Sequence, residues 1–430
     1  MKQDILSLIR DYSEEKLQPK EFIPGKTRVP ASGASLSPDD IESLIEAVLQ
    51  LWYTEGKFCA KFRRGLSKYF KKQYSTLCNS GSSSNLLAMS ALSEVFPKRD
   101  YIVTCATHFP TAIAPIYQTG HIPIYIDIDP RTLSPDFDQY EMVVEKYKEK
   151  IAGVSFAHTL GFVFDEQKFD EISPGFTLID CCDAVGAQIL VGEDWLPVGQ
   201  FSDATTLSFF PAHHITTAEG GAVLTDNERA AKIVDSYANW GRDCYCNPGQ
   251  DNTCGKRFEH EWQKLPEHYD HKYTFTRLGY NLKMTEFQAA LGVSQLERVS
   301  DFVEKRKENY KYLFENLYVF HDDLLFLHRW DGGIASPFGF PILVNTSAFT
   351  TEELIRYLEE HKVSTRRVFA GNITRQPGYN LPHISFGLSG SDKVMNQMFW
   401  VGCHPNLTKE MLDYVVEVFD AFSRRMDYES

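Results

Sequence analysis

Two features are missing from this 430-residue sequence, and each absence excludes a class of protein. No apolar run reaches the roughly 20 residues that a membrane-spanning helix needs, and residues 1–10 lack the apolar core of a signal peptide. Basic residues are outnumbered, 44 to 58, which gives a formal net charge of −14 and argues against a nucleic-acid partner. We therefore expect a cytoplasmic protein that binds neither membrane nor nucleic acid. A local basic pocket for a diphosphate remains compatible with this charge.

The sequence also lacks a disulfide pattern, internal repeats and the glycine-rich fingerprints of dinucleotide or Walker-type nucleotide sites. Its nine cysteines are an odd number in a large chain, which argues against a disulfide framework. Three of them, Cys244, Cys246 and Cys254, fall within eleven residues. This cluster needs an explanation other than disulfide bonding.

Buried strands alternate with helical patterns over much of the chain, which predicts an α/β fold with a mostly parallel sheet. The predicted strands are residues 101–104, 123–126, 151–156 and 176–179. After a capping sequence at 37–40, a helix is predicted over 41–52, and a long amphipathic helix over 285–317. A strand at 338–344 and helices at 351–361 and 408–422 suit a smaller C-terminal α+β domain.

The chain is too long for one core, which predicts several structural units. We expect an N-terminal arm over residues 1–50 and a large cofactor-binding domain over 51–284, including a polar, cysteine-rich loop at 241–280. A linker helix and the small C-terminal domain would occupy 285–430.

A serine-rich sequence at residues 79–85, Asn-Ser-Gly-Ser-Ser-Ser-Asn, precedes a helical pattern. Small residues at a helix N-terminus let backbone N–H groups approach an anion, and the helix dipole favours its negative charge. Gly81 and Ser82 are therefore candidate phosphate contacts. The alternative is an ordinary serine-rich helix cap.

Asp180 lies at the end of a predicted buried strand. Ligands of α/β sheets bind at the carboxyl ends of strands, and a carboxylate there can keep a pyridinium nitrogen protonated. The alternative reading is an aspartate that caps the following turn.

The sequence at residues 208–222 resembles the cofactor-lysine segment of the DegT/DnrJ/EryC/StrS family of sugar aminotransferases. In that family a Ser-Phe pair is followed by a lysine that binds pyridoxal phosphate (PLP) covalently, and then by Glu-Gly-Gly. The resemblance extends over about residues 45–400 and implies a fold-type-I PLP-dependent transferase. Ser208 is the serine of the pair and is implied to contact the cofactor.

His213 occupies the position of the family's lysine. An imidazole cannot form the Schiff base that a lysine amine forms, so the chain would hold pyridoxamine phosphate (PMP) noncovalently. Histidine can still act as a general base, because its ordinary pKa lies near neutrality. This pattern is similar to that of the sugar 3-dehydratases within the family. A degenerate, inactive pocket is the alternative.

By spacing alone, the cysteines of the 241–280 loop favour zinc or unligated thiols over iron–sulfur. The loop nevertheless resembles the iron–sulfur loop of the CDP-linked 4-keto-6-deoxyhexose 3-dehydratases of the same family. The resemblance implies a 2Fe-2S cluster held by Cys244, Cys246, Cys254 and Cys182, with Cys181 as the alternative fourth ligand.

Further residues acquire roles through the same resemblance. Phe109 would stack on the cofactor ring, Asp183 would lie near the ring hydroxyl, and Asn281 would contact the phosphate of a partner subunit. The segment at 367–377 resembles the family's substrate segment, which implies substrate contacts from Phe369, Asn372 and Arg375.

The resemblance implies removal of the C3 hydroxyl of a nucleotide-linked 4-keto-6-deoxyhexose, with CDP as the preferred nucleotide, in dideoxysugar and lipopolysaccharide O-antigen biosynthesis. His213 would be the base, the enzyme a homodimer, and a flavin-containing, ferredoxin-type iron–sulfur reductase the electron donor. Three alternatives stay open: a 3-dehydratase of a GDP- or dTDP-sugar without a cluster, a conventional sugar aminotransferase, and a non-catalytic zinc-binding protein.

Overall fold

The computed structural model describes residues 1–244, 246, 250, 252–327 and 330–429. Parts of the predicted 241–280 loop and of the C-terminal region therefore lie outside the described residues. The helices are α1 (Lys2–Lys16), α2 (Pro38–Val48), α3 (Lys57–Phe70), α4 (Gly81–Val95), α5 (Pro110–Gln118), α6 (Phe137–Tyr147), α7 (Glu166–Glu171), α8 (Glu228–Ala238), α9 (Glu286–Glu297), α10 (Val299–Leu317), α11 (Thr351–Glu360), α12 (Ser389–Gln397) and α13 (Lys409–Glu429).

Strands form three sheets. The strands are β1 (Tyr74–Cys78), β2 (Tyr101–Cys105), β3 (Ile122–Ile126), β4 (Ile151–Ala157), β5 (Phe176–Asp180), β6 (Gln188–Val191), β7 (Asp194–Pro197), β8 (Ala204–Ser208), β9 (Gly221–Thr225), β10 (Leu324–Phe326), β11 (Gly333–Ile334), β12 (Gly339–Val344), β13 (Thr365–Arg366), β14 (Ile384–Ser385) and β15 (Met398–Gly402). The strands predicted from sequence are all present.

The largest sheet has the order β1-β9-β8-β5-β4-β2-β3-β14. Its pairs are parallel from β8 to β14, and β9 runs antiparallel to both of its neighbours. Strands β5, β8 and β9 are buried along their whole length, as expected for a sheet covered by helices on both faces. The predicted mostly parallel α/β fold is confirmed.

A smaller antiparallel sheet, β10-β12-β15-β13, has its own apolar core with helices α10, α11 and α13. Two strand pairs connect residues on either side of the expected domain boundary at residue 284. Strand β14 adds to the edge of the large sheet beside β3, and β11 pairs with β6. The expected division of the chain into three domains therefore remains a prediction.

The prediction of a single helix over residues 285–317 is wrong. Two helices, α9 and α10, meet at Arg298, whose φ and ψ of −109° and 7° are not helical. The side chain of Arg298 donates to the buried carboxylate of Asp40 on α2. Helix α9 buries residues in the core beneath the large sheet, whereas Leu313 and Leu317 of α10 belong to the small core. Since the apolar period continues through residue 298, the sequence pattern did not reveal this break.

Among the residues that the structure describes, no helix is both long enough and apolar enough to cross a membrane.

Candidate functional site

The candidate site lies where parallel strands of the large sheet end. Asp180 is the last residue of β5 and Ser208 the last residue of β8, its neighbour. The carboxyl ends of adjacent parallel strands open onto the same edge of a sheet, which is where ligands bind in such folds. Helix α4 begins at Gly81, three residues after the end of β1.

The N-terminus of α4 closely approaches Ser208. A Cβ atom at Gly81 would lie 2.5 Å from the Cβ of Ser208, so only glycine allows this contact. The Ser80 hydroxyl caps the helix by accepting from the Ser83 N–H at 3.1 Å, and the Ser82 and Thr111 hydroxyls are 2.7 Å apart. Gly81, Ser82 and Ser208 thus meet at one helix N-terminus, where N–H groups and hydroxyls suit a phosphate.

Two hydrogen bonds orient the buried carboxylate of Asp180. Its Oδ2 accepts from Asn85 Nδ2 at 2.8 Å and its Oδ1 from the Cys182 N–H at 2.9 Å. Thr206 in turn donates to Asn85 Oδ1 at 2.8 Å. Each carboxylate oxygen can accept a further bond, so the group is fixed in place and still able to bind a ring N–H.

His108 was not singled out in the sequence. It lies just beyond the end of β2 and is 1% exposed, and its Nδ1 accepts from the Phe109 N–H at 2.8 Å. Its Nε2 is buried and has no hydrogen-bond partner among the described residues. Burial lowers the pKa of His108, and the nearby charge of Asp180 opposes that shift. An unpartnered buried nitrogen beside Asp180 is the kind of atom that a bound cofactor satisfies.

Aromatic rings of two predicted site segments meet at this edge. Phe109 is 48% exposed at the N-terminus of α5, and its ring lies 6.0 Å from that of Phe369, edge to face. Phe369 also stacks on His108 at 6.3 Å. The proposed cofactor residue and the proposed substrate residue are therefore neighbours.

His213 and Asp183 face each other, with Nδ1 and Oδ1 3.4 Å apart, an ion-pair distance without hydrogen-bond geometry. Burial, reinforced by the charge of Asp180, raises the pKa of Asp183 to about 7. Burial also lowers the pKa of His213 to about 4; the charge of Asp180 opposes this effect and that of Arg306 adds to it. At neutral pH the imidazole is therefore uncharged, as a proton acceptor must be.

The neighbouring His214 has a different environment. It is 3% exposed, and its Nε2 lies 3.1 Å from the backbone oxygen of Ser336. Burial lowers its pKa well below the ordinary value. Of the two adjacent histidines, His213 is the one in ion-pair contact with Asp183.

Asn372 and Arg375 are both bonded to Asp392 on α12. Asn372 is fully buried and donates to Asp392 Oδ1 at 2.8 Å, while Arg375 Nη2 contacts Oδ2 at 2.9 Å. The Ile373 N–H binds the backbone oxygen of Ala106, which anchors this segment beyond the end of β2. Arg375 is largely exposed, whereas Asn372 holds the segment in position.

The cysteine loop brings together three thiols and an imidazole. The ligand atoms of Cys244, Cys246 and His271 all lie within 4.8 Å of one another. Cys254 Sγ lies 3.7 Å from Cys246 Sγ and 3.5 Å from His271 Nε2. Burial opposes thiolate formation at Cys246, but hydrogen bonds from Thr253 and the neighbouring cysteines outweigh it and lower its pKa to about 6. Three thiols and one imidazole suit a soft metal centre, either zinc or iron–sulfur.

Cys182 is not part of this group in the described chain. It lies beside Asp180, whose carboxylate accepts from its N–H, and burial raises the pKa of its thiol well above the ordinary value. Cys181 is fully buried. His271, which sequence reasoning missed, occupies the place next to the three loop cysteines.

Cys244 and Cys246 are among the residues that line a cavity of about 560 Å³. Arg242 and Lys283 line it, and both side chains lie over the ring of Trp240, at 4.5 and 3.8 Å. Arg63 and Lys272 also line it, as do the acidic residues Glu55 and Asp235. His213, Asp180 and Asp183 are not among the described residues that line it.

The chain matches known proteins over almost its whole length. Residues 35–420 match the profile of the DegT/DnrJ/EryC1/StrS aminotransferase family. The lipopolysaccharide biosynthesis protein RfbH of Salmonella typhimurium is 42% identical over 98% of both chains. The dTDP-4-dehydro-2,6-dideoxy-D-glucose 3-dehydratase of Saccharopolyspora spinosa is 40% identical over 98% of this chain and 92% of that protein.

Solved structures agree on the fold. The crystal structure of GDP-4-keto-6-deoxymannose-3-dehydratase (ColD) with bound GDP-perosamine has a TM-score of 0.79 at 22% identity, covering 91% of this chain and 99% of that one. The Escherichia coli GDP-4-keto-6-deoxy-D-mannose-3-dehydratase with bound hydrated PLP gives the same score, identity and coverage. The predicted fold class and the family resemblance are thereby confirmed. The chain belongs to the DegT/DnrJ/EryC1/StrS aminotransferase family.

Proposed function

We propose that this chain is a PMP-dependent nucleotide-sugar 3-dehydratase that acts in deoxysugar and lipopolysaccharide O-antigen biosynthesis. The observation that carries the proposal is His213: an uncharged imidazole beside Asp183 stands where the family has its covalent lysine. Two relatives at 40% and 27% identity are named as 3-dehydratases of nucleotide-linked sugars. The substrate that we favour is CDP-4-keto-6-deoxy-D-glucose.

The residues fit a PMP molecule. The α4 N-terminus, with Ser82 and Ser208, would hold the phosphate. Asp180 would bind the ring nitrogen, and Asp183 would lie near the ring hydroxyl. Phe109 would stack against the ring. When bound, PMP supplies an amine that can join the C4 ketone and a ring that withdraws electrons. The unpartnered nitrogen of His108 and the free acceptor capacity of Asp180 support this placement.

We propose that His213 is the base that takes a proton from the C4′ carbon of the cofactor. Because its Nδ1 is buried against Asp183, Nε2 is the atom that can accept a proton. An ionised Asp183 would keep the Nδ1 proton in place and make Nε2 more basic, as carboxylates do for histidine bases. Asp180 would stabilise the positive ring nitrogen while the C3 hydroxyl departs.

The loop cysteines Cys244, Cys246 and Cys254 are proposed to hold a 2Fe-2S cluster, which would supply electrons singly to complete deoxygenation. For the fourth ligand we propose Cys182; the proximity of His271 to the three thiols favours a Cys₃His zinc site as the competing assignment. A flavin-containing ferredoxin-type reductase is proposed as the electron donor.

The decisive test uses the purified, iron-loaded chain with PMP, a reductant and CDP-4-keto-6-deoxy-D-glucose. We expect a sugar product lighter by one oxygen, identified by mass spectrometry and by NMR at C3. An amino sugar formed with glutamate and PLP would instead identify an aminotransferase. If neither product forms with CDP-, dTDP- or GDP-linked substrates, the proposed function is wrong.

The pH dependence of C4′ hydrogen exchange should follow the ionisation of Asp183. We expect exchange of the cofactor's C4′ hydrogen with solvent to rise by up to about tenfold as pH increases through 7, because ionised Asp183 increases the basicity of His213. Loss of activity through protonation of His213 should occur only as pH approaches 4.

The Asp183→Asn variant provides the comparison for this profile. It should exchange slowly and show no rise near pH 7, at saturating PMP. A rise of the same size and midpoint in this variant would assign the titration to another group.

A homodimer with shared active sites is also proposed. Asn281 is exposed and pairs with Asn239, and the carbonyl of the next residue, Leu282, accepts from the Asn79 N–H. We expect Asn281→Ala to weaken PMP binding at least about tenfold, since it removes a hydrogen bond to a charged phosphate. Asn316→Ala, which changes an exposed asparagine on α10, should have no effect.

Mixed dimers show whether Asn281 contributes to the active site of its own chain or to that of the partner chain. If His213 and Asn281 of different chains form one site, mixing equal amounts of His213→Asn and Asn281→Ala chains should restore about a quarter of wild-type activity, measured at a PMP concentration that fills only sites with an intact Asn281. No recovery after verified subunit exchange, or a fully active monomer in sedimentation, would contradict the shared site.

A further inference from the structure

Arg306 is a buried cation near the candidate base. It lies in α10, is 1% exposed, and forms no ion pair with any carboxylate in the described chain. Removing a guanidinium from water costs several kcal/mol unless its charge is compensated, and arginine is rarely fully buried without a partner. A function in this region of the protein would account for its retention.

Backbone oxygens accept from both terminal nitrogens of the guanidinium, while its buried Nε has no hydrogen-bond partner among the described residues. Nη1 donates to the Phe338 carbonyl at 2.9 Å, and Nη2 donates to the carbonyls of Ala212 and His213 at 3.1 and 3.4 Å. The guanidinium carbon also lies 5.7 Å from the centre of the Phe338 ring. One side chain of α10 thereby joins two segments distant in sequence.

One of these segments contains His213, and the other contacts its imidazole. The ring of Phe338 lies 5.2 Å from that of His213, and the backbone of His213 itself is one of the acceptors. The charged groups that act on His213 are Asp180 at the end of β5, Asp183 three residues later and Arg306 from α10. The neutral His214 is next to it in sequence. The positive charge of Arg306 helps to lower the pKa of His213.

We propose that Arg306 is a positioning residue for His213: its planar fork fixes the backbone of the base and the Phe338 ring beside it, so that Nε2 keeps one direction. This inference rests on the proposed role of His213 as base. A fixed geometry matters because a misplacement of about 1 Å can lower a rate by about 10²-fold.

The test compares Arg306→Met with Asn309→Leu. Asn309 lies on the same helix, is also 1% exposed, and donates to the carbonyls of Cys403 and His404 rather than to the His213 segment. Both variants should lower the melting temperature. Only Arg306→Met should lower C4′ hydrogen exchange, by about 10²-fold, and only it should raise the midpoint of His213 in an NMR titration of labelled imidazoles.

Arg306→Lys keeps the charge but cannot bond three carbonyls with the same planar fork. We expect the His213 midpoint to stay near that of the wild type while exchange falls by about tenfold. This variant also supplies the test if Arg306→Met does not fold.

Two results would overturn the inference. One is equal exchange and equal His213 titration in Arg306→Met and Asn309→Leu, which would make Arg306 purely structural. The other is full exchange in Arg306→Lys. If the wild type itself shows no C4′ exchange, the proposed function fails instead, and the NMR titration still reports whether Arg306 acts on His213.

Discussion

His213→Asn should abolish exchange of the C4′ hydrogen of bound PMP with solvent, lowering its rate by about 10²–10⁴-fold, the usual contribution of a general base. Asparagine has no basic nitrogen, whereas the imidazole of His213 is uncharged and ready to accept a proton at neutral pH. The proposed phosphate contacts at the α4 N-terminus and Asp180 are unchanged by this substitution. The affinity for PMP should therefore stay within a few-fold of the wild type. Exchange is measured by loss of deuterium from labelled PMP.

His214→Asn is the matched control. This histidine is adjacent in sequence and more deeply buried, at 3% exposure against 13% for the side chain of His213, and it contacts the Ser336 carbonyl instead of Asp183. We expect lower stability and nearly normal exchange. Strong loss of exchange in His214→Asn with normal exchange in His213→Asn would transfer the role of base to His214.

His213→Lys tests the same position chemically. A lysine at 213 should bind PLP covalently, which a mass increase after borohydride reduction would detect. Absence of that adduct in a folded variant would show that residue 213 does not face the cofactor.

Serine substitution at the loop cysteines should separate the two halves of the reaction. We expect Cys244→Ser, Cys246→Ser and Cys254→Ser each to lose most of the bound iron and to abolish formation of the 3-deoxy product. C4′ hydrogen exchange should continue, because the cysteine group is distinct from His213 and Asp183. Iron content, the visible spectrum and electron paramagnetic resonance after reduction are the measurements.

Zinc and iron–sulfur respond differently to these measurements. Zinc has no redox chemistry, so a colourless, zinc-containing wild type would end the cluster proposal whatever the variants do. Cys59→Ser and Cys403→Ser change buried cysteines that are not members of the group and should keep both iron and product.

The fourth ligand is decided by a pair of variants. If Cys182 binds the cluster, Cys182→Ser should lose iron and His271→Ala should retain a reducible cluster. The opposite result would assign the position to His271, which lies 3.5 Å from Cys254. Iron loss in Cys181→Ser alone would assign it to the neighbouring thiol.

Much of the fold followed from local patterns. The buried strands at 101–104, 123–126, 151–156 and 176–179 were recognised because apolar runs of that length between turns suit a covered parallel sheet. The helix break at Arg298 was not recognised, since the same apolar period continues on both sides. Helix α9 and the first turns of α10 pack in one core, and only the later part of α10 reaches the core of the small sheet.

The sequence by itself determined the identity of the candidate base, because a histidine in place of a lysine excludes a covalent Schiff base wherever the chain folds. It also predicted Gly81 and Ser82 as phosphate contacts, because they are neighbours in the chain before a helical pattern. The contact of Ser208 with Gly81 arises only in the folded chain. The contacts of the base were decided only by the tertiary structure. Asp183 lies 30 residues before His213, and Arg306 lies 93 residues after it.

The same distinction applies to the candidate metal ligands. The spacing of Cys244, Cys246 and Cys254 is local and visible in the sequence, but the position of His271 beside them depends on how the loop returns. Sequence patterns report the preferences of a chain over a few residues. Burial, pKa shifts and contacts between distant side chains arise only when the sheet order and the packing of α10 bring those segments together.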